Sequence, residues 1–113
     1  MFESEERFHE VNVPVEQKQR IKDFLQGSVY CWCKNRKHEQ FKLQDLLGGD
    51  NTDWTGTPLI VLYLRHIDAG HDHDSAMKTA AQDAGWLLKQ VLNEDGRKFQ
   101  SHPGYTRSYE WVS

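Results

Sequence analysis

Apolar positions in the last third of the chain recur with a helical period. Over residues 74–93, Met77, Ala80, Ala81, Ala84, Leu87, Leu88, Val91 and Leu92 fall on one side of a helical wheel. Asp74 or Ser75 caps the start of this helix, and Gly96 stops it. Leu88 and Val91 are expected in the core, and Lys89 is expected to be exposed. Beyond Gly96 two extended runs flank His102-Pro103-Gly104, a strong turn signal. In the second run Tyr105, Arg107, Tyr109 and Trp111 share one face, and Thr106, Ser108, Glu110 and Val112 share the other. Residues 97–112 therefore read as a β-hairpin.

Upstream, Pro14 suits the first turn of a helix, where its missing N–H needs no partner. That helix runs to about residue 34, with Ile21, Phe24, Leu25, Ser28 and Trp32 on one face. Phe41 reads as a stub of strand, and 43–47 as a short helix stopped by Gly48-Gly49. A loop follows over 50–56. Residues 59–64 are all apolar, a pattern that fits a buried strand as well as a helix. Thr57-Pro58 before them is a helix start, and Arg65, His66 and Ile67 continue the run, so a helix ending near Gly70 is expected. Residues 1–13 read as a polar tail, too polar to fold alone, and 14–113 as a single domain. The fold class is mainly α with a C-terminal β-hairpin.

Composition sharpens this picture. A chain of 113 residues supports one core, and although only 37% of residues are apolar, four Trp, four Tyr and five Phe supply bulk. No apolar run approaches 18 residues, so no membrane span is expected. The acidic start lacks the basic and apolar parts of a secretory signal, which makes a cytoplasmic protein the expectation. Cys31 and Cys33, one residue apart, are poorly placed for a disulfide to each other and read as reduced structural thiols.

The net charge of −3 conceals segregation. Residues 15–42 carry seven bases against three acids, 43–74 carry six acids and one Arg, and 97–113 carry three bases against Glu110. The basic regions can converge in the fold, although an overall pI of about 6.0 counts against a dedicated nucleic-acid binder.

Candidate chemistry gathers on the long helix and the hairpin. Opposite the apolar side, Gln82, Trp86, Lys89 and Asn93 follow one another at helical spacing. This polar stripe bears an aromatic, a cation and hydrogen-bonding groups, as a recognition surface does. His66, His71 and His73 with Asp68, Asp72 and Asp74 are the densest set of possible metal ligands, but they lack the two-His helical spacing of zinc hydrolases and read as a polar loop. There is no glycine-rich phosphate loop and no nucleophile elbow. No metal, cofactor or enzymatic activity is expected.

The order helix, strand stub, short helix, helix, helix, hairpin resembles a winged helix-turn-helix domain. The resemblance lies in Phe41-Lys42-Leu43-Gln44-Asp45-Leu46-Leu47-Gly48, similar to the short strand and second helix of such domains. It lies also in Gly85-Trp86-Leu87-Leu88-Lys89-Gln90-Val91-Leu92-Asn93-Glu94-Asp95-Gly96 with its hairpin, similar to a recognition helix and wing. Residues 50–75 insert an extra acidic helical segment. The resemblance implies that Trp86 and Lys89 face a DNA major groove, that Gln82 and Asn93 pair with base edges, and that Arg97, Lys98, His102 and Arg107 reach phosphates or a minor groove. Two functions follow as expectations. One is a small regulatory module contacting duplex DNA through helix 74–93 and hairpin 97–112. The other is a protein-interaction domain using the same surface.

Overall fold

The computed structural model describes residues 1–49 and 53–113, so residues 50–52 of the expected loop lie outside the described residues. Among the described residues four helices precede one hairpin: α1 (Val15–Cys33), α2 (Leu43–Leu46), α3 (Ile60–Asp68) and α4 (His73–Glu94), then β1 (Phe99–His102) and β2 (Ser108–Trp111). The chain is mainly α with a C-terminal antiparallel hairpin. No described helix is long and apolar enough to cross a membrane.

Helix α1 follows Pro14, which is extended at the N-cap. Its buried stripe is Ile21, Leu25, Val29 and Cys33, strictly every fourth residue. The expected face was rotated from this one: Phe24 and Trp32 pack half-buried along the core's edge, and Val29 and Cys33 take the centre. The run 59–64 resolves as helix. Thr57 Oγ1 accepts a hydrogen bond from the Leu59 amide at 3.3 Å, and α3 begins one residue later. Gly70, with φ +98°, turns the chain after α3, and Asp72 caps α4 by accepting from the Ser75 amide at 2.8 Å.

Helix α4 is the spine of the molecule. Ala80, Ala84, Leu87, Leu88, Val91 and Leu92 are buried, as their spacing predicts. Two expected core members are displaced: Ala81 is exposed and Met77 half-buried. Asp83 is buried instead. Its carboxylate accepts from Arg65 Nη2 at 2.7 Å and lies 2.8 Å from His66 Nε2, tying α3 to α4 by charge as well as by packing.

The hairpin is wider than a tight turn on Pro103-Gly104. Phe99 pairs with Trp111 and His102 with Ser108, so residues 103–107 form the loop. Tyr105, expected in the second strand, is fully exposed there. Phe41 and Tyr109 exchange two backbone hydrogen bonds at 2.8 Å, so the expected strand stub pairs with β2. Phe41, Phe99 and Tyr109 are all buried, with ring centroids 6.0–6.2 Å apart for Phe41–Tyr109 and Phe41–Phe99. Burial pushes the Tyr109 hydroxyl up to about 12.

Residues 1–13 pack along the domain. Phe2 bridges to Phe99 in parallel, and Val11 is buried. The Met1 ammonium donates to the carbonyls of Leu92, Asp95 and Arg97, each at 2.7 Å, where the C-terminal end of α4 leaves acceptors unpaired.

Candidate functional site

A groove of about 770 Å³ runs beside α4. Helix α4 lines it with Met77, Lys78, Ala81, Gln82, Gly85, Trp86, Leu88 and Lys89; α2 and the following turn add Leu43, Gln44 and Leu47; Trp54 and the hairpin loop, from Gly104 to Arg107, complete it. The N-cap region of α2 holds its wall in place: Asp45 accepts from the Lys42 amide at 2.8 Å. Trp54 is 6% exposed and packs with the core.

Of the residues singled out by sequence, Gln82, Trp86, Lys89 and Arg107 meet in this groove. Gln82 is exposed and Trp86 half-buried, its ring 5.5 Å from that of His9. Asn93, Arg97, Lys98 and His102 lie outside it.

Lys89 is not the exposed cation its place on the wheel suggests. It is 4% exposed, donates to the Arg7 carbonyl at 2.6 Å and pairs with Glu6 at 3.2 Å, under Phe8 and beside Trp86. The reason is the N-terminal segment, which lies over the polar stripe and brings an acid to it. A wheel of one helix cannot register a neighbour supplied from elsewhere in the chain.

Arg97 is also engaged internally. Its guanidinium bonds Asp95 through Nε at 2.9 Å and Nη2 at 2.6 Å, and stacks 4.5 Å from the Tyr30 ring. Asp95 further accepts from the Arg97 amide and from Gln26 Nε2. Burial alone would raise the Asp95 carboxyl, but these bonds outweigh it and hold the group at about 2. His102 Nε2 lies 3.0 Å from Glu110, across the hairpin. Arg107, exposed, donates to Ser101 Oγ at 2.7 Å. The backbone of Lys98 pairs with residues 112 and 113. Among the described residues, neither Lys98, Lys78 nor Arg107 has a carboxylate partner.

The His and Asp residues of 66–74 do not converge on one point. His66 turns to Asp83, and His73 Nδ1 lies 2.9 Å from the Tyr63 hydroxyl. Among the described residues no group of three or more His, Cys, Asp or Glu side chains is placed to hold a metal ion.

Sequence reasoning missed the part of the groove lining supplied by Leu43, Gln44, Leu47 and Trp54. The signal in Leu43, Leu47 and Trp54 was present but unread: apolar residues in and after a four-residue helix and in a loop have too little core of their own to serve, and need another surface to cover. No protein-family model matches this chain, and no curated protein or solved structure does either.

Proposed function

We propose that this chain is a cytoplasmic protein-interaction module that takes a segment of a partner into the groove beside α4. The fate of the cations that were to meet phosphates carries this reading. Lys89 is paired with Glu6 and Arg97 with Asp95, while His102 Nε2 lies 3.0 Å from the Glu110 carboxylate. A charge already neutralised within the protein releases few counterions from DNA, and that release supplies most of the affinity for a duplex. The shape of the surface points the same way. A helix that reads bases projects into a major groove about 12 Å wide, whereas Gln82 and Trp86 line a groove together with residues of α2 and the hairpin loop. Aromatic residues, Met and Arg are favoured at protein interfaces, and this groove offers Trp54, Trp86, Tyr105, Met77 and Arg107.

Duplex DNA is the second reading, favoured by the winged-helix-like order. The isolated Phe41–Tyr109 bridge lays the segment before α2 beside the hairpin, and α3 and α4 are joined by four residues including Gly70, a connection of helix-turn-helix length. An arrangement of elements does not by itself assign a function. Titration with labelled random duplex DNA separates the two. At about 50 mM salt, where phosphate attraction is strong, no saturable binding is expected. Binding that weakens steeply with added salt, and again on neutralising Lys98 and Arg107, overturns the interaction reading.

A further inference from the structure

We infer that the occupant of the groove is an extended, acidic and apolar segment of a partner protein, about five residues long; this rests on the interaction-module reading above. Charge is the first argument. In a chain where 17 acidic residues outnumber 14 basic ones, the described residues lining the groove include Lys78, Lys89 and Arg107 and not one carboxylate. Lys89 is neutralised by Glu6, which leaves Lys78 on α4 and Arg107 on the hairpin loop without acidic partners among the described residues. Two cations in the lining of an apolar groove, without carboxylate partners among the described residues, select an occupant that carries carboxylates.

The floor supplies the second argument. Met77, Ala81, Gly85 and Leu88 are small or apolar, and a Cβ built on Gly85 meets no atom within 4 Å. The floor is therefore a shallow channel that accepts alternate side chains of a strand. From Met77 to Lys89 the helix rises about 18 Å, room for about five residues at 3.3 Å each.

The probe is a capped, fluorescein-labelled peptide, Asp-Leu-Glu-Phe-Asp-Leu, followed by anisotropy against the full chain. The comparators are the charge-reversed peptide, Lys-Leu-Lys-Phe-Lys-Leu, and a short oligothymidylate. Saturable binding of the acidic peptide below about 1 mM is expected. The Lys78→Glu, Arg107→Glu pair should weaken it about five- to tenfold and give the lysine peptide the advantage, as loss of two exposed ion pairs dictates. Gly85→Leu fills the channel without a Cβ clash and replaces a helix-weakening residue, so it should abolish binding while melting stays unchanged or rises. Equal binding of the two peptides to the wild-type chain, or no binding of the acidic one, overturns the inference and leaves the module reading to its DNA titration. Displacement of the acidic peptide by oligothymidylate at low salt overturns both.

Discussion

Replacing Asp95 by Asn tests the internal lock on Arg97. The substitution preserves shape but puts an amide, half of it a donor, where the carboxylate accepts four hydrogen bonds. Breaking a fully buried ion pair costs about 3–5 kcal/mol. Here the side chains are 4% and 18% exposed, so the Arg97 end reaches water and about 2–3 kcal/mol is expected at neutral pH. For a domain of this size that lowers the melting temperature by roughly 8–12 °C. The acid arm of the experiment is more specific. The Asp95 carboxyl falls from 3.8 in the unfolded chain to about 2 in the folded one. Protons therefore favour unfolding, and the contribution is complete above pH 3.8 and is lost as pH falls through about 2. The shift sets a ceiling of about 2.5 kcal/mol, which screening at the accessible edge of the pair reduces to about 1–2 kcal/mol. Urea titrations of both proteins from pH 7 down to pH 2 measure the gap, and other carboxylates cancel in the difference. A variant within about 0.5 kcal/mol of wild type at pH 7, or a gap that stays constant to pH 2, refutes the reasoning.

Leu88→Ala should cost about 2–5 kcal/mol in a denaturant titration, because the side chain is 1% exposed. Glu6→Ala removes the acid facing a nearly buried ammonium and should destabilise by about 1–3 kcal/mol, with Glu6→Gln intermediate; a thermal melt decides it. A disulfide reagent should titrate one thiol in the native chain and the second only in denaturant, since Cys31 is exposed and burial both hides Cys33 and raises its pKa. Dialysis against a strong chelator should leave the melting curve unchanged. Loss of structure restored by zinc would instead promote His66, His71 and His73 to ligands.

What could be read from the sequence divides by the range of the forces involved. The period of α4, the glycine signal at Gly70, the cap signal (expected at Asp74 or Ser75 and taken by Asp72), and the extended runs of the hairpin are local. They placed the elements to within a few residues. The Thr57-Pro58 start also carried enough information to make 59–64 helical where periodicity was silent. Contacts between distant segments were not legible. Lys89 is buried because Glu6 and Arg7 reach it from 82 residues away in the case of Arg7. Asp83 sits inside because Arg65 pairs with it and His66 Nε2 lies 2.8 Å from its carboxylate, and a wheel assigns a carboxylate to water by default. The candidate site was half visible: Gln82, Trp86, Lys89 and Arg107 were grouped, and the wall from α2 and Trp54 was missed. Arg97 was assigned to phosphates because a sequence shows a cation two residues after an acid without showing that the two grip each other.

The docking of the first residues has a consequence for the order of folding. The Met1 ammonium bonds to Leu92 across 91 positions of chain, and the Glu3 amide bonds to Phe99. Bringing such ends together costs about 4 kcal/mol of chain entropy, while the α3–α4 pair closes over a four-residue turn. During synthesis residues 1–13 leave the ribosome well before β1, on which they land, has been made. The acidic stretch therefore stays open to proteases and chaperones until the hairpin exists, and a cut made in that interval removes the cover of Lys89 before it is ever laid.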